Sequence, residues 1–285
     1  NLLHVWSSED GTALETYQGH SAALSSVAFV SEHALLSASA DKTLIVWNTK
    51  PQWKLIGQLG PEKDAPLELG PSLFVNRVLA LDFSDDGKLL ATGGGDPSRS
   101  GELMIWDVEK QQLVRAIADA HSDTVMGVEF SRDAKTIVSG ATDKFVKLFD
   151  VATGKHIRSF EGHTAHVLDV SLKGDMSTIV SAGADNVIKV WNTETGEQRR
   201  TIGGHSKQVI SLDYIGATDN FISCSGDRKV RLYTAANGKN NGDFNGGSDF
   251  MYAAACARDQ SIVIAGGEDG VLRVWNGKDR KSIAT

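Results

Sequence analysis

The sequence predicts an all-β protein built from one unit repeated along the chain, each unit holding four short strands. Three observations lead there. First, an aromatic residue recurs at the end of a short apolar run: LLHVW to Trp6, LIVW to Trp47, LMIW to Trp106, VKLF to Phe149, IKVW to Trp191, VRLY to Tyr233 and LRVW to Trp275. The spacings are 41, 59, 43, 42, 42 and 42 residues, and a period of this size marks a repeat architecture. Second, the segments between these aromatics are short apolar runs separated by Gly, Asp, Asn and Ser turn chemistry, which favours strands. Third, no stretch keeps an apolar period of about 3.6 residues long enough for an amphipathic helix.

Each unit has the same internal order. After the aromatic comes a turn, Ala152–Lys155 or Thr193–Gly196, and then a short strand such as HIRSF ending at Phe160. Gly-His follows at Gly19-His20, Gly162-His163 and Gly204-His205, with Ala120-His121 in its place once. An apolar strand comes next, as in VMGVEF ending at Phe130. The polar turn Ser131–Ala134 leads to the small-residue strand TIVSG, and a tight turn carrying Asp leads back to the aromatic run.

These residues identify a family resemblance. The unit of about 42 residues with Gly-His, a turn Asp and a terminal pair (Trp47-Asn48, Trp106-Asp107, Phe149-Asp150, Trp191-Asn192, Tyr233-Thr234, Trp275-Asn276) resembles the WD40 repeat over essentially the whole chain. The resemblance implies a β-propeller, here seven blades of four antiparallel strands with one blade incomplete. Residues 1–285 then form a single domain, with 1–18 a partial blade and 19–285 six complete repeats. A weaker resemblance links Ser248–Asn276 to bacterial WD40 segments attached to c-type cytochrome domains. No haem motif accompanies it, so no haem function is carried over.

Bulk properties narrow the function. A net charge of −7 in 285 residues argues against broad phosphate binding, so a nucleic-acid partner is not expected. No apolar run approaches the roughly 18–20 residues of a transmembrane helix, so membrane insertion is not expected. Asn1–Trp6 has no basic region followed by an apolar core and does not read as a signal peptide. Cys224 and Cys256 could pair, but they read more simply as small buried apolar residues. There is no Cys-x-x-Cys, and neither a metal nor a cofactor is expected.

Each regular unit contains a hydroxyl, a histidine and a carboxylate, which invites a hydrolase reading. The sets are His20/Ser37/Asp41/Trp47, His121/Ser139/Asp143/Phe149, His163/Ser181/Asp185/Trp191 and His205/Ser223/Asp227/Tyr233. An active site needs one such constellation with a reachable nucleophile. Four copies at fixed spacing point instead to a structural part, an internal network that satisfies buried polar groups, as the matching residues form in WD40 proteins. No catalytic residue is assigned. Two units depart from the pattern. The second has Phe74 where His is expected, with Thr92 and Asp96 kept; the last has Gly247 and Ala265, with Asp269 kept. Both are expected to lack the network.

The ends pose a closure problem. The first segment supplies two strands and the chain ends on an outer strand, so the two inner strands of one blade are missing. Three explanations stay open: the sequence is part of a longer protein; the propeller has six blades and an extra two-stranded flap; or another segment or chain completes the blade.

Binding is expected where the repeat is broken. The 59-residue interval holds two insertions, Pro61–Leu73 and Pro97–Ser100, which in WD40 blades open on one face, the top. The competing reading is that they are plain surface loops. Alternation along the innermost strands, with the positions just before the turn Asp, gives a candidate rim for a protein or peptide partner: Arg77, Leu79, Arg99, Met126, His166, Leu168, Ile210, Phe250, Tyr252 and Glu268. Aromatics, Met and Arg are enriched in protein interfaces. The alternative is that the apolar members only plug the channel. His166 reads as a polar rim residue. The expected function is a non-catalytic binding scaffold. The rivals are a structural appendage of a cytochrome-linked protein and a propeller hydrolase or lyase.

Overall fold

The structure, a computed structural model, describes residues 2–6, 13–31, 34–48, 77–110 and 112–285. The insertion Pro61–Leu73 and Phe74 lie outside the described residues. Every regular element among the described residues is a β-strand. The chain divides into two compact units, residues 1–57 and 58–285.

In the first unit, β1 (Leu2–Trp6) pairs antiparallel with β2 (Ala13–Gln18). A separate sheet joins β3 (Leu24–Ser31), β4 (Ala34–Ser39) and β5 (Leu44–Asn48) in sequence order. Tyr17 and Trp47 meet here, their ring centres 5.0 Å apart.

The second unit holds five four-stranded meanders, each in strict sequence order. They are β6–β9 (Arg77–Phe83, Leu89–Asp96, Ser100–Asp107, Gln112–His121), β10–β13 (Val125–Phe130, Thr136–Ala141, Val146–Asp150, His156–Phe160) and β14–β17 (Val167–Leu172, Thr178–Gly183, Ile188–Asn192, Gln198–Ile202). The last two are β18–β21 (Val209–Tyr214, Asn220–Ser225, Val230–Thr234, Asn240–Phe244) and β22–β25 (Met251–Cys256, Ile262–Gly267, Leu272–Asn276, Ser282–Ala284). Seven sheets thus stand among the described residues, one for each aromatic end of the sequence.

Strand order follows from turn length, because short connections can join only antiparallel neighbours. The turn after each Asp places the next residue at positive φ: Lys144 at 76°, Asn186 at 68°, Arg228 at 69° and Gly270 at 70°. Within the second unit, one core lies between each pair of consecutive sheets. Leu103 and Ile105 of β8 pack with Val125, Val128 and Phe130 of β10. Val146 and Leu148 of β12 pack with Val167, Val170 and Leu172 of β14. The two later boundaries repeat the arrangement. Blades are therefore held mainly by apolar burial against the next blade, the dominant favourable term in folding. The five innermost strands, β6, β10, β14, β18 and β22, stand side by side and line one cavity of about 650 Å³.

Candidate functional site

The repeated polar sets occupy the turns of the blades. In the second sheet of the larger unit, His121 Nδ1 lies 2.9 Å from Asp143 and His121 Nε2 lies 2.8 Å from Ser139 Oγ. His163, Asp185 and Ser181 repeat this at 3.0 and 2.8 Å, and the Trp191 indole N–H donates to Ser181 at 2.8 Å. His20, Asp41, Ser37 and Trp47 do the same in the smaller unit, and His205, Asp227 and Ser223 in the fourth blade of the larger one. The carboxylate partner assigns the proton to Nδ1 of His121 and His163, so Nε2 accepts from the serine. Burial holds the pKa of His121, His163 and His205 below the ordinary imidazole value. Asp143 and Asp185 stay below the ordinary carboxylate value: burial pushes them up, but their hydrogen bonds from the histidine and from turn amides outweigh it.

All four serines are buried. A hydroxyl enclosed in this way offers no face to a substrate, so these sets do not meet the geometry of a nucleophile and base.

The two irregular blades are not empty of polar order, contrary to expectation. In the β6–β9 sheet the Trp106 indole N–H donates to Thr92 Oγ1 at 3.1 Å, so that link of the network persists. Asp96 pairs with Arg99 at 3.0 Å. In the last blade a guanidinium stands in for the imidazole. Arg273, 5% exposed, donates to both carboxylate oxygens of Asp269, to Ser248 Oγ and to the Gly246 carbonyl. The Trp275 indole turns to the Asn245 carbonyl at 2.9 Å. A Cβ on Gly247 would run into the Arg228 carbonyl, so no larger side chain fits there, and Arg273 of β24 answers the Asp269 carboxylate instead.

The end of the larger unit that carries these turns also carries the expected rim. Every innermost strand breaks register near its start, between Val78/Ala80, Val125/Gly127, Val167/Asp169, Val209/Ser211 and Met251/Ala253. The extra residue in each bulge is Leu79, Met126, Leu168, Ile210 or Tyr252. Bulges lift one side chain out of the ladder and re-aim it. Leu79 and Tyr252 are exposed; Met126, Leu168 and Ile210 are half-buried. Phe250 packs its ring over Gly226 of the neighbouring blade and lies 5.1 Å from the Tyr252 ring. The Tyr252 hydroxyl donates to Glu268. Arg77 is exposed opposite Gly95, and His166 is exposed too, its carbonyl accepting the Ala184 amide.

The second insertion becomes the tip of a long hairpin. β7 and β8 each run eight residues and pair as far as Asp96 opposite Ser100. Asp123 of the next blade accepts the Ser98 amide at 2.7 Å, which anchors the tip. Arg99 remains exposed beyond its ion pair with Asp96. Gly94 and Gly95 let the strands close: a Cβ on Gly94 would meet the Arg77 carbonyl at 1.9 Å, and Gly95 sits at φ 142°.

The family model described as "WD domain, G-beta repeat" matches residues 11–48, 73–107, 112–150, 154–192, 196–234 and 238–276. The chain belongs to the WD40-repeat family. Its sheets are the blades of that fold. Among curated proteins, the chain is similar to "Periodic tryptophan protein 2 homolog" of Schizosaccharomyces pombe, 28% identical over 56% of this chain and 19% of that protein. It is also similar to "Transcription initiation factor TFIID subunit 5" of Caenorhabditis elegans, 26% identical over 55% of this chain and 22% of that protein. "Coronin-7" of Rattus norvegicus is 32% identical over 41% of this chain and 11% of that protein. The chain thus matches about a fifth or less of each relative's length. None of the three supports the cytochrome-linked variant.

Two columns of the WD40 repeat escaped the sequence reading. One is a cation two residues before the terminal aromatic: Lys147 reaches the Ala120 carbonyl, Lys189 reaches Gln198, Arg231 reaches Asp227, and Arg273 reaches Asp269. Its signal was present in VKLF, IKVW, VRLY and LRVW. The other is a polar residue one before the end of the innermost strand, Asp82, Glu129, Ser171 and Asp213. Cys224 is a buried free thiol and Cys256 a half-buried one.

Proposed function

We propose that this chain is a non-catalytic scaffold that holds a protein or peptide segment across the bulged end of its WD40 blades. The observation that carries this reading is the coincidence of five bulges with five apolar or aromatic side chains at one end of the larger unit. Beside them stand the exposed Arg77 and His166, the Phe250–Tyr252–Glu268 cluster and the Arg99-tipped hairpin. An aromatic and apolar centre with charged neighbours is the usual composition of a hot-spot cluster. The relatives add support: a TFIID subunit is by its name one component of a larger assembly. The mechanism is rigid display, in which paired strands fix the rim before a partner arrives and so reduce the ordering cost of binding.

The test is affinity for a partner co-purified from the native host, measured with the purified chain and with Arg77→Ala/Tyr252→Ala. A hot-spot pair costs at least about 2 kcal/mol, or roughly 30-fold in Kd. A loss of that size with an unchanged melting temperature supports the site. An unchanged Kd overturns it.

A further inference from the structure

The polar column at the end of the innermost strands joins one blade to the next. An Asp82 carboxylate oxygen accepts the Phe130 amide of the following blade at 2.7 Å. Glu129 accepts the Leu172 amide at 3.0 Å, Ser171 the Tyr214 amide at 3.0 Å, and Asp213 the Cys256 amide at 2.7 Å. Asp169, two positions before Ser171, adds a second link at its boundary by accepting the Leu212 amide at 2.8 Å. Every blade boundary of the larger unit therefore carries at least one such stitch. In the last blade the column holds Ala255, which has no acceptor.

Four of the five acceptors are carboxylates, and all four line the same cavity. Asp82 faces Asp85 on its own blade and Asp213 across the cavity. Glu129 faces Asp82, Asp213 and the Ser171 hydroxyl. Asp169 faces Asp213 and the Ser211 hydroxyl, with the Cys224 thiol beside it. Asp213 faces Asp82, Arg258 and the Cys256 thiol. The cavity's cations are already engaged: Arg258 and Arg132 bind Asp85, and Lys173 binds Asp175 and Asp219. Ionising all four acids would thus place several like charges around one cavity with little compensation.

We propose that these stitches form a pH-sensitive clasp for the five blades, closed in mildly acidic solution and loosened as the cavity carboxylates ionise towards alkaline pH. Their titration has the matching direction. Burial first, and the neighbouring carboxylates after it, push Asp169 up to about 7 and Asp213 up to about 6. The same causes hold Glu129 well above its ordinary value and Asp82 above its own. A carboxyl whose folded pKa is raised stabilises the fold fully below its unfolded pKa, and that contribution is lost as pH rises through the folded value. The loss falls between about pH 4 and pH 7 for Asp213 and Asp169. The proton leaves to solvent; each carboxylate remains an acceptor, but repulsion between the ionised neighbours drives the strands that carry them apart and so loosens the stitches.

The experiment measures melting temperature at pH 5 and pH 8 for the unsubstituted chain, Asp169→Asn and Asp213→Asn. An amide keeps one acceptor oxygen but cannot ionise. Each variant should gain on the parent by about 3 °C or more between pH 5 and pH 8, since one kcal/mol moves the melting point of a domain this size by about 2–4 °C. The comparison with the parent cancels the opposite contribution of the buried histidines. A constant difference overturns the clasp. Carbon-13 NMR of the unsubstituted chain decides the matter independently if a variant fails to fold. Asp169 and Asp213 carboxyl carbons should titrate with midpoints above about 5.5, and protection of the Leu212 and Cys256 amides should fall over the same interval. Midpoints near the ordinary carboxylate value, or protection that ignores the titration, overturn it.

Discussion

Arg273 donates to both oxygens of Asp269, at 3.1 and 2.6 Å, in the one complete repeat that replaces both the histidine and the hydroxyl of the polar set. In this blade a planar guanidinium gives the turn Asp the buried donor that an imidazole gives it in four other repeats. The hydrogen bonds from Arg273, ahead of all other causes, hold Asp269 well below the ordinary carboxylate value.

Removing that donor strands a largely buried carboxylate. Arg273→Ala should lower stability by about 3 kcal/mol, the usual result of breaking one half of a buried pair. Arg273→Lys should recover only part of this, because an ammonium cannot make the forked contact. Urea denaturation of the three proteins at pH 7 checks both. Because the folded pKa of Asp269 is depressed, its contribution is present above the unfolded carboxylate value and is lost as pH falls towards the folded one. The Arg273→Ala deficit should therefore shrink in strong acid.

Asp143→Ala should cost about 1–3 kcal/mol, since His121 would lose its acceptor while remaining buried. Burial depresses the folded pKa of His121, His163 and His205. Their contribution is present above the unfolded value of about 6.5 and is lost as pH falls from there to the lowered folded values. These three imidazoles should titrate below the ordinary imidazole value, and nitrogen-15 NMR of the rings reads this directly.

Lys144 and Arg228 hold positive φ in the turns where other repeats place Asn186 and Gly270. A left-handed conformation costs a residue with an ordinary side chain about 1–2 kcal/mol, and Asn or Gly tolerates it better. Lys144→Asn should leave the fold intact and raise its stability by up to about 1 kcal/mol. Gly270→Val should lower it, and thermal melts separate the two.

The Ser98–Asp123 bond predicts the behaviour of the hairpin tip. Asp123→Ala frees the Ser98 amide and should quicken trypsin cleavage after Arg99, with little change in the global melting point. Equal cleavage rates would mean that paired strands alone hold the tip.

Much of the fold was legible because the period of about 42 residues fixes strand number, order and turn positions together. The His-Ser-Asp sets were legible for the same reason: repetition at constant spacing separates a structural part from an active site. What stayed hidden depends on partners far along the chain. Arg273 reads as an exposed strand residue until the fold brings Asp269 and Ser248 to it. Asp213 reads as the solvent side of an alternating strand, yet its acceptor meets Cys256 one repeat later. The bulges were hidden too, since an extra residue leaves no mark in apolar alternation. They re-aim Leu79, Leu168 and Ile210, which alternation alone offered either as a rim or as a plug of the channel.

Site-specific photo-crosslinking in the native host tests the central claim most directly. A benzoylphenylalanine placed at Leu168 or Tyr252, at the bulged end, should capture a discrete protein partner. The same group at Lys88 or Lys135, in turns at the opposite end of the strands, should not. Crosslinks confined to the opposite end, or equal at both, would contradict a docking surface at the bulged end of the blades.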